Sequence, residues 1–433
     1  MIEPIEAWFQ AQGWTPQTFQ REAWRAQLDG QSGLVQVATG GGKTWAAYGG
    51  PLAKLLEQPG EGLRILYITP LRAMSRDLQQ ALSAPLAQLN DSIRVESRTG
   101  DTPSHVKQRQ LRKPPQILMT TPESLCLMLS YPTAQRTFEQ LDSVIVDEWH
   151  ELMPNKRGTQ TELALARLRR WRPSLQVWGL SATLGQPQQA MDQLVGPGGH
   201  LIQAQLEREI QLRMVAPDNL LDLPWAGHYG LSQLRQVAPL LDAQQPTLVF
   251  TNTRAQAETW FEALRTIRFD LSDQMALHHG SLDNEEREAI ELGLKTGSLC
   301  CVVCTSSLDL GVDFAPLERV IQIGSVKGIA RLVQRAGRAA HRPGQRADLY
   351  CVPTHALQVF EIQAAKQALE QMDVESPNAP SQPLDVLAQH LVTLALAGGF
   401  TADEAYHEIT QAPSYHKLTR TEFDWVLDLL SRG

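Results

Sequence analysis

No long hydrophobic run occurs in this chain. The nearest, 391–400, falls well short of the roughly 18 uncharged apolar residues that a membrane span requires. The opening Met1-Ile-Glu-Pro-Ile-Glu6 has neither the basic start nor the apolar stretch of a signal peptide, so no membrane role and a cytoplasmic location are expected. Cysteine is scarce, five in 433 residues, which excludes a disulfide scaffold. Cys301 and Cys304 have C-x-x-C spacing, but no second pair follows. Their apolar, β-branched surroundings read as a buried strand rather than a metal site. An excess of positive charge is also missing: 39 Lys and Arg stand against 47 Asp and Glu, a net charge of −8. A basic coat protein is therefore excluded, and any anionic ligand must be met by local basic patches. There is no nuclease-like cluster of carboxylates. What remains is ordinary globular composition, 42% hydrophobic and 20% charged. At roughly 150 residues per domain, the length predicts two or three domains.

Short apolar runs alternate with longer helical patterns, the signature of a parallel-sheet α/β protein. Strands are expected at 33–38, 64–69, 116–120, 143–147 and 176–181. A second series is expected at 247–251, 274–278, 299–305, 319–323 and 348–352, after an ambiguous bridge from 196 to about 245. The junction is placed near 205, giving domains 1–204 and 205–373. A Pro/Ser-rich linker at 374–383 follows. Three helical patterns in 384–433 then read as part of a small third domain, and hence as a piece of a longer protein.

The sharpest signal is Ala38-Thr-Gly-Gly-Gly-Lys-Thr44, directly after an expected strand and opening a helix. A phosphate tail needs close backbone approach and converging N–H donors, which the glycines allow. The reading assigns Thr39, Gly40, Gly41 and Gly42 to the phosphates. Lys43 would reach the β and γ phosphates and Thr44 would ligate Mg²⁺. Val37 stands where the strict pattern has its first glycine. Ser143-Val-Ile-Val-Asp-Glu-Trp-His150 places two carboxylates at a strand's end: Asp147 for the metal and Glu148 to deprotonate the attacking water. In Arg331-Leu-Val-Gln-Arg-Ala-Gly-Arg-Ala-Ala-His-Arg342, a continuous helix would align Arg331, Arg335, Arg338 and Arg342 on one face. Arg335 and Arg338 then read as arginine fingers on the γ-phosphate, with ATP in a cleft between two domains. The basic run Arg167-Leu-Arg-Arg-Trp-Arg172 could be a DNA patch but reads better as a solvated helix end.

Taken together these segments resemble a superfamily-two helicase, specifically the large helicase-related (Lhr) group and its bacterial ligase-associated DExH branch. Eleven ordered segments carry the likeness. The first seven are Phe19-Gln-Arg-Glu-Ala-Trp24, Thr39–Thr44, Thr69-Pro-Leu-Arg-Ala-Met74, Arg98-Thr-Gly-Asp101, Thr121-Pro-Glu-Ser-Leu125, Asp147-Glu-Trp-His150 and Ser181-Ala-Thr-Leu184. The others are Phe250-Thr-Asn-Thr-Arg254, His278-His-Gly-Ser281, Thr305–Asp313 and Gln334-Arg-Ala-Gly-Arg338. Asp-Glu-Trp-His and Pro383-Leu-Asp-Val-Leu-Ala-Gln-His390 point to the branch. The resemblance implies two tandem RecA-like parallel-sheet domains followed by a partial winged-helix domain. It assigns adenine recognition to Gln20, with Trp14 or Phe19 stacking, although Trp14 could equally be a core residue. Ser181 and Thr183 would couple hydrolysis to domain movement. Gly311, Asp313 and Gln334 would approach the nucleotide. The nucleic-acid track would use Thr69, Arg72, Arg98, Thr99, Gly100 and Thr121, then Thr253, Arg254, His279, Thr305 and Ser306. Such hydroxyls and amides suit a single-strand phosphate backbone. One departure is Gly49-Gly50-Pro51, from which a short or kinked helix after the phosphate loop is expected.

The implied activity is an ATP- and Mg²⁺-dependent helicase translocating 3′ to 5′ on single-stranded DNA or a partial duplex in DNA repair, alongside a ligase or nuclease. An RNA or DNA–RNA hybrid remodeller and an ATP-switched clamp stay open as alternatives. So does a motor that serves glycosylase-like chemistry encoded beyond residue 433.

Overall fold

A computed structural model describes residues 1–433 except 39, 183, 205–209, 218, 228, 310–316, 340–346, 377 and 433. Of 72–77, 221 and 284 it describes the backbone only. The chain forms two compact units. One comprises Met1–Val37, Gly42–Ala204 and Ser376–Gly433; the other comprises Ala38–Gly41 and Gln205–Glu375.

The first unit holds seven strands: β1 (Gly33–Val37), β2 (Ile65–Ile68), β3 (Val95–Arg98), β4 (Ile117–Thr120), β5 (Ser143–Val146), β6 (Gln176–Ser181) and β7 (His200–Ala204). Their order is β3-β4-β2-β5-β6-β1-β7, and every pairing is parallel. The second unit holds β8 (Ile210–Met214), β9 (Thr247–Phe250), β10 (Met275–His278), β11 (Cys301–Cys304), β12 (Arg319–Ile323) and β13 (Ala347–Val352). These run in the order β10-β11-β9-β12-β13-β8, again parallel. Helices cover both faces, so central strands such as β4 and β5 are buried throughout, as parallel sheets require. Because all strands point one way, the loops at their carboxyl ends share one rim of each sheet, where α/β proteins bind ligands. Each expected strand forms, within a residue or two at its ends. Cys301 and Cys304 lie an odd number of residues apart in β11. They join different core clusters on opposite sheet faces, which no shared metal could bridge.

The three C-terminal helical patterns form at Leu384–Leu396, Ala402–Ile409 and Arg420–Arg432. The first two pack on the Lys156–Trp171 helix and the third packs on the first; Leu163 and Ala166 enter the same core cluster as Leu387, Leu391 and Phe423. The basic run on that helix is neither a DNA patch nor a solvated end. Arg167 and Arg170 both reach Glu408 Oε2, at 2.8 and 3.2 Å, and Arg169 donates to the Leu194 carbonyl. Arg172 pairs with Asp142. The Glu408 side chain is only 1% exposed; burial works to raise its pKa, but His390, 3.9 Å away, and then Arg167 hold it below the usual carboxylate range. Removing one partner of a buried ion pair costs about 3–5 kcal/mol. Glu408→Ala is therefore expected to loosen this module. Limited proteolysis should then cut between 376 and 420 at much lower protease concentration, and an unchanged digestion pattern would refute the clamp.

Candidate functional site

The phosphate loop is seated by the Thr18–Leu28 helix. The helix after the loop, Lys43–Glu57, is continuous over 15 residues, so of the expected short or kinked helix the short form does not occur. Pro51 removes an N–H, which orphans the Ala47 carbonyl. Gln27, fully buried, repairs the ladder: its amide nitrogen donates to the carbonyls of Ala46 and Ala47, and its oxygen accepts from Gly50 N. The two glycines allow this close approach. A Cβ on Gly49 would stand 2.2 Å from Trp24 Nε1, and one on Gly50 would stand 2.2 Å from Gln27 Oε1. Gly42 caps the helix at φ +84°, a left-handed conformation that favours glycine. Gln20 holds it there, donating to the Gly42 carbonyl at 3.0 Å while accepting from Gln17 N. Trp14 sits half exposed against Trp8 and Phe9, whereas Phe19 is buried. Of the loop, Thr39 lies outside the described residues.

At the carboxyl ends of β1 and β5 the predicted catalytic groups meet. Lys43 Nζ lies 2.7 Å from Glu148 Oε1, with both side chains more than nine-tenths buried. Glu148 adopts φ +46°, ψ +48°, unusual for a residue with a side chain and a form of strain that concentrates at functional sites. The Asp147 carboxylate accepts from Glu148 N (2.9 Å) and from the Tyr67 hydroxyl (3.2 Å). Burial, reinforced by the charge of Glu148 and opposed by Lys43, pushes its pKa up to about 6. His150 went unassigned from sequence, yet it joins this centre to Ser181 at the end of β6. Its Nδ1 accepts from Ala182 N (3.3 Å) and lies 3.2 Å from Ser181 Oγ. Burial lowers its pKa to about 4, so the ring is neutral at pH 7. The Ala182 N–H makes Nδ1 the acceptor and assigns the proton to Nε2. Ser181 is thus tied to the Glu148 loop, while Thr183 lies outside the described residues. Among the described residues no group of three His, Cys, Asp or Glu could hold a metal. Thr44 and Asp147 are hard oxygen donors. They fit a Mg²⁺ that arrives with phosphates and keeps several waters, not an ion caged by protein alone.

In the second unit the motif helix is shorter than expected. It spans Ile329–Ala336 and ends at Gly337, so the four arginines do not form one stripe, and Arg342 lies outside the described residues. Arg335 is engaged within its own unit. Its guanidinium grips Asp309 in a fork (2.7 and 3.0 Å), bonds Gln322 and lies 4.4 Å from the Phe250 ring centre. Arg338 donates to the Asp309 carbonyl (2.9 Å). Gln334 is buried, with its side-chain nitrogen lacking a partner among the described residues, a donor suited to a ligand. Gly311 and Asp313 lie outside the described residues.

The expected nucleic-acid residues do fall after strand ends, but many of their side chains are spent internally. Arg98 is buried and donates to the Lys107 carbonyl, so it braces the loop rather than offering charge to solvent. Thr121 and Thr253 accept from backbone N–H groups of the helices they begin, and Thr99 accepts from Asp101 N. Thr69 donates to the Leu71 carbonyl. His279 is buried, 3.3 Å from Glu258. Arg254 bonds Ser281, while Gly100 and Ser306 are exposed and Thr305 is half-buried. Arg72 opens the Arg72–Ser83 helix, and its side chain is outside the description. These loops therefore offer a phosphate chain mainly backbone amides and helix starts.

Three family models cover the chain in order: DEAD/DEAH box helicase over 17–191, helicase conserved C-terminal domain over 231–344, and large helicase-related protein winged helix domain over 367–433. The chain is 33% identical to the ATP-dependent helicase Lhr-Core of Methanocaldococcus jannaschii, covering all of this chain and 53% of that protein. It is 32% identical to the Lhr helicase/uracil glycosylase of Escherichia coli, covering 98% of this chain and 32% of that protein. The structure of Mycobacterium smegmatis helicase Lhr bound to ssDNA and AMP-PNP superposes with a TM-score of 0.88 at 32% identity, over 98% of this chain and 57% of that one. The chain thus spans about half the length, or less, of the relatives it matches. Two parallel-sheet units with the phosphate loop and carboxylates at one rim, followed by the Lhr-type winged-helix segment, place this chain in the large helicase-related (Lhr) family of DEAD/DEAH box helicases.

Proposed function

We propose that the chain is the motor of an ATP-dependent DNA helicase that moves 3′ to 5′ on single-stranded DNA in DNA repair. The observation that carries this reading is the buried Lys43–Glu148 pair beside Asp147 at the carboxyl ends of β1 and β5. ATP phosphates draw Lys43 away from Glu148. The freed carboxylate then orients and deprotonates the attacking water. Thr44 and Asp147 would hold Mg²⁺, which would supply charge neutralisation for the phosphates. Gln20 recognises adenine, and Gln334 and Arg338 are the groups assigned to the γ-phosphate. Glu148, His150 and Ser181 form the chain through which hydrolysis is felt by the DNA-gripping loops. The bound single-stranded DNA of the Mycobacterium smegmatis relative supports the polymer assigned here. Domains at 1–204, 205–373 and 384–433, membership of the bacterial ligase-associated branch, and a ligase or nuclease partner belong to the same proposal.

The test is steady-state ATP hydrolysis without nucleic acid, with single-stranded DNA, and with RNA of matched length. Stimulation of at least tenfold by DNA, and much less by RNA, is expected. Equal or greater stimulation by RNA would overturn the reading in favour of a transcript or hybrid remodeller. Sustained hydrolysis without strand displacement would favour a clamp.

A further inference from the structure

Tyr67 lies in the middle of the first sheet and contributes a hydroxyl that packing does not require. In β2, Leu66 and Ile68 point into one core cluster and Tyr67 points to the other face. Its side chain is fully buried, a position phenylalanine would fill equally well. Buried hydroxyls persist where they have a partner, and here the partner is functional. The β2–β5 register sets Tyr67 opposite Ile145, and Asp147 N bonds the Ile68 carbonyl at 2.8 Å. Asp147 is therefore the diagonal neighbour of Tyr67 on the same face, within reach of an aromatic side chain. The phenol donates to Asp147 Oδ2 at 3.2 Å, while Glu148 N fixes Oδ1 at 2.9 Å.

We propose that Tyr67 is a positioning residue of the divalent-cation site, its hydroxyl fixing the Asp147 carboxylate so that it turns lone pairs to the cation that accompanies ATP. The inference rests on the ATP reading above and adds a residue that the phosphate-loop and carboxylate motifs do not contain. Groups that orient metal ligands from behind typically carry 10- to 100-fold of metal affinity, roughly the loss expected here.

The experiment uses the full chain and its Tyr67→Phe variant, with Mn²⁺ and AMP-PNP as probes. Electron paramagnetic resonance titration should show Mn²⁺ bound roughly 10-fold or more weakly in the variant–AMP-PNP complex. A fluorescent ATP analogue in EDTA should bind both proteins equally. In turnover, the Mg²⁺ activation constant should rise while kcat at saturating Mg²⁺ stays within a few-fold. Tyr48→Phe is the control, since that buried hydroxyl bonds the Leu82 carbonyl instead. Mn²⁺ affinity within twofold of the parent would overturn the role of Tyr67 and leave the ATP reading standing. So would an equal loss in Tyr48→Phe, or a loss of nucleotide binding in EDTA. Failure of the unmodified chain to bind Mn²⁺ with AMP-PNP would overturn both.

Discussion

Glu148→Gln is expected to cut ATP turnover by about 10²–10⁴-fold, the range supplied by a positioned general base, while leaving nucleotide binding intact. Glutamine has the size of glutamate and can still accept a hydrogen bond, but it cannot take a proton from water. The second effect follows from the ion pair. Lys43 and Glu148 are both more than nine-tenths buried and lie 2.7 Å apart, so each offsets the cost of burying the other. In the variant without nucleotide, Lys43 loses that partner. The chain should melt at lower temperature, and AMP-PNP, whose phosphates replace the carboxylate, should raise the melting temperature more than in the parent. Affinity for the analogue should hold or tighten, because no carboxylate competes for Lys43. Calorimetric melts with and without AMP-PNP, run beside a phosphate-release assay, check both effects. Undiminished turnover would remove Glu148 from the mechanism. An equal nucleotide-induced shift in both proteins would remove the competition for Lys43.

The ten strands and the chemical residues of this centre were legible in the sequence for a simple reason. Central strands of a parallel sheet are buried on both faces and read as unbroken apolar runs, as Ser143-Val-Ile-Val146 does. The three strands that escaped notice, β3, β7 and β8, all lie at sheet edges. There one side faces solvent, and Val-Glu-Ser-Arg or Ile-Gln-Leu-Arg-Met passes for loop. Lys43, Asp147 and Glu148, which the fold brings together, could be singled out because few residue types suit the chemistry proposed for them. Tyr67, Gln27, His150 and Asp309 could not, because each acts through a partner supplied by the fold: Asp147, Ala47, Ser181 and Arg335 respectively. One signal was available. Gly49-Gly-Pro51 in a helical stretch asks which neighbour comes close enough to need the glycines and to satisfy the carbonyl that proline orphans. The residues expected to meet nucleic acid are a different case. They follow strand ends, but Thr121 and Thr253 use their hydroxyls at helix starts, and Arg98 bonds a carbonyl, partners that no sequence pattern announces.

Arg335→Ala is expected to act on stability first. The guanidinium is 2% exposed and Asp309 is 6% exposed, and the fork between them is reinforced by Gln322 and by the face of Phe250. Removing the cation takes the forked partner from a buried carboxylate and leaves it Arg331 at 3.6 Å, a half-exposed and longer contact, so the cost should approach about 3–5 kcal/mol. For a unit of this size each kcal/mol moves the midpoint by roughly 2–4 °C, so the unit should melt on the order of 10 °C lower. Lysine should rescue little, since a point charge cannot match a two-pronged carboxylate contact while lying flat on an aromatic ring. Arg335→Met with Asp309→Leu should recover much of the loss, because replacing a buried pair by apolar residues of similar volume can be neutral. A residue acting chiefly on the γ-phosphate would behave differently, with turnover falling at an unchanged melting temperature. Arg338, whose bond to the Asp309 carbonyl leaves the carboxylate fork intact, is the arginine for which that pattern is expected. Melting curves of Arg335→Ala and Arg338→Ala, set beside their turnover, therefore divide the two arginines between brace and finger. Full retention of the parent's melting temperature in Arg335→Ala would return that residue to the nucleotide.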